Sequence, residues 1–141
     1  MNNKIKMEEK KVLIRWNSTY ELGIKEVDEQ HMKLVDIIND FYNAFATAQA
    51  HEKIGGIIGE LVNYTVFHFT AEEEIFSNSN YPDTDEHKKT HKQFVDELKR
   101  YHQEVKDGNM TTTYDLMTFL RDWLLKHIMG TDRTYLPYVN A

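Results

Sequence analysis

The sequence lacks or is poor in residues that several common kinds of site require. None of its 141 residues is a cysteine, which excludes disulfides, thiolate zinc sites, iron–sulfur clusters and a cysteine nucleophile. Any metal site must therefore use nitrogen and oxygen ligands, a set that favours iron, manganese or zinc over copper(I). With only two prolines and six glycines, the chain has few breaks in its secondary structure.

Positive charge and long apolar runs are also scarce. Lys and Arg number 17 against 23 Asp and Glu, the formal net charge is −6, and the basic residues are scattered. Clustered basic residues favour binding to nucleic acids and anionic membranes, so we expect neither as a partner. No stretch approaches the roughly 20 apolar residues of a membrane span, and residues 1–11 lack the apolar centre of a signal peptide. We therefore expect a cytoplasmic protein, and we favour a monomer over an oligomer.

The apolar residues recur at helical spacing and predict an all-α fold. The four predicted helices run from about residue 26 to 47, from about 51 to 76, from Asp83 to about 107, and from the threonines at 111–113 to about 129. Short connections between helices of similar length favour an antiparallel up-down-up-down four-helix bundle.

This pattern predicts a single domain over residues 1–141. An N-terminal extended arm occupies residues 1–25, the bundle about 26–129, and a short C-terminal segment 130–141. We expect Asp83 and Glu86 to form a capping box at the third helix, and the threonines at 111–113 to cap the fourth.

The sequence contains seven candidate metal ligands, and those within the helical stripes lie in phase with the apolar faces of the four helices. Residues four apart share a helix face, so His68 with Glu72 and His87 with His91 each direct two donor groups at one point. Five imidazoles and two carboxylates exceed what one small cation needs, and they fit two adjacent ions that share the carboxylates. The full set, which antiparallel packing brings to one end of the bundle, is His31, His68, Glu72, His87, His91, His127 and Asp132.

One spacing does not fit a regular helix. His127 and Asp132 are five residues apart, which places them roughly 140° out of phase. Gly130 lies between them. We therefore predict either a π-bulge or a break and restart of the helix at 129–131, which turns Asp132 back toward the site.

Each of these residues also has a purely structural interpretation. A lone inward histidine such as His31 is more often a hydrogen-bonded core residue than a ligand, and a pair such as His87 and His91 commonly arises by accident. Glu73 and Glu74 are interpreted as a solvated face because consecutive helical residues point about 100° apart. The remaining histidines, His51 and His102, are interpreted as surface residues. The joint occurrence of four signatures, each in phase with its helix, favours the metal centre.

The motifs resemble those of the hemerythrin family, in particular its single-domain bacterial members. The resemblance extends over nearly the whole chain and covers every ligand position. The matching segments are WNSTYELGIKEVDEQH at 16–31, HFTAEE at 68–73, YPDTDEHKKTHKQF at 81–94 and WLLKHIMGTD at 123–132.

The resemblance implies a di-iron centre bridged by an oxo or hydroxo group and by Glu72 and Asp132. Three histidines saturate one iron, and two histidines hold the other, which keeps one open position for a small ligand. The three are His87, His91 and His127, and the two are His31 and His68. The implied function is reversible O2 binding, for storage, delivery or scavenging, rather than catalysis.

Motif position also implies an apolar O2 pocket around the open position. Such a lining withholds the water and protons that would promote oxidation. Phe76 stands where the family often has methionine, and Tyr135 is expected to close this end of the bundle. The expected pocket residues are Leu34, Phe69, Phe76, Trp123 and Leu124.

Two other functions remain open. The same centre could serve as an oxygen, redox or nitric oxide sensor, or as an oxidase or peroxidase acting on O2 or peroxide. A ferritin-like di-iron enzyme uses Glu-x-x-His on two helices plus two further glutamates, and no Glu-x-x-His occurs in this sequence. Only two carboxylates for two metals favour a centre that binds O2 over one that cleaves it.

Overall fold

Four long helices make up most of the computed structural model, which describes residues 11–49 and 51–139. The long helices are α1 (Lys25–Ala46), α2 (His51–Ser77), α3 (Thr84–Lys106) and α4 (Met110–Met129), and a one-turn helix α5 (Leu136–Val139) follows. Two short 3-10 helices cover Ser18–Tyr20 and Thr131–Tyr135. The described part of the chain has no strand. The all-α prediction is therefore confirmed.

Parts of three expectations fall outside what the structure describes. Residues 1–10 of the expected arm and residues 140–141 of the expected C-terminal segment are not among the described residues. The side chains of His51, Met110, Ile128 and Met129 are not described either, so the surface position expected for His51 stays a prediction.

The long helices pack in chain order and enclose one apolar interior. Helix α1 contacts α2, α2 contacts α3, α3 contacts α4, and α4 returns to α1. The connections are short, and Gly108, with φ +90°, ends α3 in the left-handed conformation that glycine adopts most easily. The largest side chains of the interior include Phe41, Ile58, Leu98, Leu116 and Leu120, all fully buried. Among the described residues, no helix is long and apolar enough to cross a membrane.

The described part of the arm is held against α1 by one asparagine. Asn39 Oδ1 accepts from the backbone N–H groups of Leu13 and Ile14, both at 2.9 Å, and Asn39 Nδ2 donates to the Ile14 carbonyl at 2.8 Å. Ile14 is 4% exposed and belongs to the apolar core. The amide therefore satisfies three backbone groups that burial of Ile14 would otherwise leave unpaired.

The starts of α3 and α4 differ from the sequence predictions. Asp83 precedes α3 but makes no side-chain capping bond, because its backbone (φ −96°, ψ 24°) lacks the extended conformation of a capping residue. The expected capping box is therefore wrong. At α4 the cap is Asn109, whose side chain accepts from the Thr112 N–H at 3.0 Å. The threonines lie inside the first turn, where Thr113 donates to the Asn109 carbonyl.

The chain changes direction at Gly130. Helix α4 ends at Met129, and the 3-10 helix begins at Thr131. Of the two predicted alternatives, the break and restart is therefore confirmed, and the π-bulge is not observed. A Cβ at Gly130 would lie 2.9 Å from the Lys126 carbonyl oxygen, closer than real contacts allow. Residue 130 must therefore be glycine, because its backbone packs against the Lys126 carbonyl just before the 3-10 helix that carries Asp132.

Candidate metal centre

The seven predicted ligands come together at one end of the bundle. Each is at most 3% exposed, although five helical elements contribute them. Helix α1 carries His31, α2 carries His68 and Glu72, α3 carries His87 and His91, α4 carries His127, and the 3-10 helix carries Asp132.

Their donor atoms form two overlapping groups, and within each group the atoms lie within 4.8 Å of one another. The two carboxylates are common to both groups. One group adds three histidines to Glu72 and Asp132, namely His87, His91 and His127, and the other adds His31 and His68. The arrangement is therefore that of two neighbouring cation sites with shared carboxylates.

Asp132 divides its two oxygens between the groups. Its Oδ1 lies 2.6 Å from His127 Nε2 and 3.1 Å from His87 Nε2. Its Oδ2 lies 3.1 Å from His31 Nε2, without hydrogen-bond alignment. One carboxylate thus faces both histidine groups, with a different oxygen for each.

Glu72 has the same divided arrangement. Its Oε1 lies 3.2 Å from His91 Nε2, whereas its Oε2 lies 4.0 Å from His31 Nε2. The hydroxyl of Tyr135 donates to Oε2 at 2.8 Å. Tyr135 is fully buried above the centre, so the expectation that it closes this end of the bundle is confirmed.

Several buried polar atoms of the centre have no hydrogen-bond partner among the described residues. They are Nδ1 and Nε2 of His31, Nε2 of His68, Oε1 of Glu72, Nδ1 of His87 and Oδ2 of Asp132. Leaving such an atom unsatisfied costs about 1–3 kcal/mol. In addition, His91 Nε2 lies 3.0 Å from His127 Nε2, so two ring nitrogens point at each other inside the centre. Cations placed among these nitrogens and oxygens would satisfy them, and the donor set fits a pair of first-row metal ions.

Burial and the carboxylates act in opposite directions on the imidazoles. Burial lowers the pKa of His68 to about 4, against the opposing effect of Glu72, so this ring is a neutral donor at pH 7. Burial also disfavours charge on His127, but Asp132 and, to a smaller extent, Glu72 outweigh it and raise the pKa of His127 to about 9. The cluster therefore attracts positive charge at the three-histidine group.

Two ligand histidines are held from behind by side chains that the sequence analysis did not identify as functional. His68 Nδ1 lies 2.7 Å from Gln30 Oε1, and His91 Nδ1 lies 2.9 Å from Glu73 Oε2. The expectation that Glu73 belongs to a solvated face is wrong, since its side chain is 27% exposed and bound to His91. Glu74 is exposed as expected. No sequence signal identifies Glu73, because its contact depends on how α2 and α3 are rotated against each other.

Aromatic rings cover the three-histidine group. Phe69 stacks on His91 with ring centres 3.7 Å apart and planes 2° apart, and Trp123 stacks on His127 at 4.2 Å and 15°. These contacts fix the planes of two imidazoles.

Phe76 lies on this covered side and not in the expected O2 pocket. Its ring centre is 4.6 Å from that of His87, and it packs with Tyr81 and Tyr135 in a small cluster separate from the main core. One helical turn beyond Glu72 carries the Phe76 side chain past the centre, so Phe76 does not line the cavity beside His31 and His68.

A narrow cavity lies beside both residues of the two-histidine group and also reaches His127. Its space of about 10 Å³ holds roughly one molecule of the size of water. The wall is almost wholly apolar, and Thr65 supplies its one hydroxyl. Besides His31, His68 and His127, the lining residues are Leu34, Ile38, Leu61, Thr65, Phe69, Phe94, Leu120, Trp123 and Leu124. Four of the five expected pocket residues thus line the cavity.

His102 lies apart from the centre. It is half-buried, with Nε2 3.2 Å from the carbonyl oxygen of Gly55, so its expected surface position is wrong. The ring packs close to Gly59 of α2, where a Cβ would be in ordinary van der Waals contact with the imidazole.

Comparison with known proteins agrees with this geometry. The family model of the hemerythrin HHE cation binding domain matches residues 22–139. The chain is 32% identical to a bacteriohemerythrin of Stenotrophomonas maltophilia over 129 residues, which are 92% of this chain and 83% of that one. It is 33% identical to a myohemerythrin of Theromyzon tessulatum, over 86% of this chain and 89% of that one.

A solved structure has the same fold. The crystal structure of wild-type hemerythrin superposes with a TM-score of 0.80 at 29% sequence identity, covering 92% of this chain and 100% of that chain. The family match includes the break at Gly130 and all seven residues of the centre. The chain belongs to the hemerythrin family.

Proposed function

We propose that this protein binds O2 reversibly at a pair of iron ions held by the seven residues of the centre. His87, His91 and His127 would hold one iron, His31 and His68 would hold the other, and the carboxylates of Glu72 and Asp132 would be available to both. When bound, the irons supply the electrons that hold O2. The observation that carries the proposal is the division of each carboxylate between the two histidine groups.

The unequal numbers of histidines support one closed and one open metal position. The three-histidine group has two bridging carboxylates and three imidazoles around it, whereas the two-histidine group has one imidazole fewer. The narrow cavity lies against the second group. A metal with an incomplete set of protein ligands beside a cavity is the arrangement of sites that bind an exogenous ligand.

The cavity lining provides the selectivity that reversible binding requires. Leu34, Leu61 and Leu124 make the wall apolar and have no proton to donate, so Thr65 is the one hydroxyl among the described lining residues. The Tyr135 hydroxyl donates its hydrogen bond to Glu72, and Tyr135 does not line the cavity. Burial, with Glu72 and Asp132, raises the pKa of Tyr135, so the phenol stays protonated at physiological pH.

The protein as isolated in air tests this function. The proposal expects two irons per chain and visible charge-transfer absorption that bleaches on reduction and returns when O2 is admitted. Nitric oxide and peroxide, added separately, establish whether either competes for the same position. A preparation that cannot take up iron contradicts the proposal. Sustained consumption of a reductant and O2, faster than simple oxidation of the iron, would favour an oxidase instead.

A further inference from the structure

The two hydrogen bonds behind the ligand histidines differ in charge and exposure. His91 Nδ1 donates to a carboxylate oxygen of Glu73, whose side chain is 27% exposed. His68 Nδ1 donates to the neutral amide oxygen of Gln30, which is 7% exposed. The Nδ1 atoms of His31 and His87 have no partner among the described residues. Each histidine group thus contains a ring anchored by a side chain, one by an anion and one by a neutral group.

Such an anchor has two physical effects on a ligand histidine. It fixes the tautomer with the proton on Nδ1, so that the Nε2 lone pair points to the metal. It also sets the basicity of the ring, because an anionic acceptor pushes more electron density toward the metal than an amide does. A metal bound by the ring with the anionic partner is therefore stabilised in its more oxidised state.

The surroundings of the two anchors allow this difference in charge. Glu73 forms part of an open surface groove between α2 and α3, whose wall includes Lys88 and Lys92. The Glu73 side chain is 27% exposed there, so its carboxylate keeps part of its hydration. Gln30 is enclosed between α1 and α2, where a carboxylate would have to lose most of its hydration.

We propose that Glu73 and Gln30 are positioning residues that make the two metal positions electronically unequal. Glu73 lowers the reduction potential at the three-histidine position. Gln30 aligns His68 without adding charge, which keeps the metal beside the cavity easy to reduce. This inference rests on the proposed function, since it needs a redox-active pair of metals in the centre.

Potentiometry of the iron-loaded protein, followed by visible absorption, tests the inference. Glu73→Gln should raise the midpoint potential and Gln30→Glu should lower it. A tenfold change in the reduction equilibrium corresponds to about 59 mV for one electron, and a shift of that order is expected. The matched control is Glu74→Gln, which changes the neighbouring exposed carboxylate. Potentials that do not move, or that move equally in the control, overturn the inference.

A second measurement needs no redox chemistry. In zinc-loaded wild-type protein, NMR should show slowly exchanging Nδ1 protons on His68 and His91. Glu73→Ala should speed exchange at His91 alone, and Gln30→Ala at His68 alone. Fast exchange at both rings in the wild-type protein overturns the inference even if a variant fails to fold. If the wild-type protein takes up no iron, the proposed function fails. If the wild-type protein binds iron and O2 but the variants change neither the midpoint potentials nor the Nδ1 exchange rates, only the roles proposed for Glu73 and Gln30 fail.

Discussion

The two sides of the metal centre differ in the side chains that surround the histidines. On the three-histidine side, each imidazole has an aromatic ring against it, with Phe69 on His91, Trp123 on His127 and Phe76 beside His87. On the two-histidine side, the centre faces a small cavity whose wall combines aliphatic side chains with the aromatic rings of Phe69, Phe94 and Trp123. The first side is held by stacked rings, while the second borders space for a very small ligand.

The difference indicates how one bundle serves two purposes. Stacked rings hold the imidazoles of the closed side, and Tyr135 holds the shared Glu72, which favours retention of metal. The apolar cavity leaves the other side accessible to an uncharged gas but unfavourable for water. Substitutions should therefore have different effects on the two sides: changes at shared or closed-side groups affect metal content, and changes at the cavity affect ligand behaviour.

The largest effect is expected from Glu72→Ala, which removes a carboxylate common to both sides. Iron content should fall from about two per chain to well below one. The variant also leaves the buried Tyr135 hydroxyl without its acceptor, at a cost of about 1–3 kcal/mol in stability. Metal analysis with thermal unfolding measures both. Glu74→Ala, which alters an exposed glutamate of the same run, is the control. Equal iron loss in both variants would show that the shared site is misplaced.

Gly130→Ala should produce a smaller loss of iron. The added Cβ would lie 2.9 Å from the Lys126 carbonyl oxygen, so the backbone must shift just before Asp132. Iron should dissociate faster into a chelator than from the wild-type protein. Gly56→Ala is a matched control, since a Cβ there meets nothing within 4 Å, and replacing this helical glycine should stabilise the fold by about 0.4–1 kcal/mol. Normal iron retention in Gly130→Ala would mean that the turn does not set the position of Asp132.

Opening the cavity should leave iron in place but change how O2 is held. Leu34→Ala enlarges the two-histidine side, costs about 2–5 kcal/mol of stability and admits water. The oxygenated absorption should then decay several-fold faster in stopped-flow and manual-mixing records. Phe76→Leu provides the contrast, because Phe76 packs at the closed side with Tyr81 and Tyr135. Faster decay in Phe76→Leu than in Leu34→Ala would reverse the assignment of the open side.

The smallest effect on the centre is expected from Asn39→Ala, which releases the arm. Three backbone groups lose their hydrogen-bond partner. The free energy of unfolding should therefore fall by about 1–3 kcal/mol. Iron content should not change. Asn43→Ala, which removes a single exposed bond to the Lys11 N–H, should cost less. Denaturant unfolding of both variants gives the comparison, and iron loss in Asn39→Ala would show that the arm supports the centre.

Periodicity explains why the four helices and the clustering of the seven residues were predictable. The spacing of His68 with Glu72 and of His87 with His91 places them on the same faces as the apolar residues, so burial of the core also turns them inward. The five-residue interval before Asp132 and the intervening glycine indicated a break in the helix, although not its 3-10 form.

The features that were not predictable depend on how neighbouring helices meet. Glu73 and Gln30 are one residue away from ligands, and only the rotation of each helix against its neighbour brings them behind His91 and His68. The same holds for Phe76, whose position in the stripe of α2 did not reveal whether it packs beside the cavity or at the closed end. The missing cap at Asp83 has a different cause: the backbone conformation of the preceding turn keeps its side chain from making the capping hydrogen bond.

Anomalous diffraction at the iron edge from crystals of the aerobic, iron-loaded protein tests the shared-carboxylate centre most directly. Two peaks should appear about 3.5–4 Å apart or closer, as in other two-metal sites. One peak should lie among His87, His91 and His127 and the other beside His31 and His68, with Glu72 and Asp132 contacting both. A single peak, or two peaks that do not share these carboxylates, would contradict the arrangement proposed for this protein.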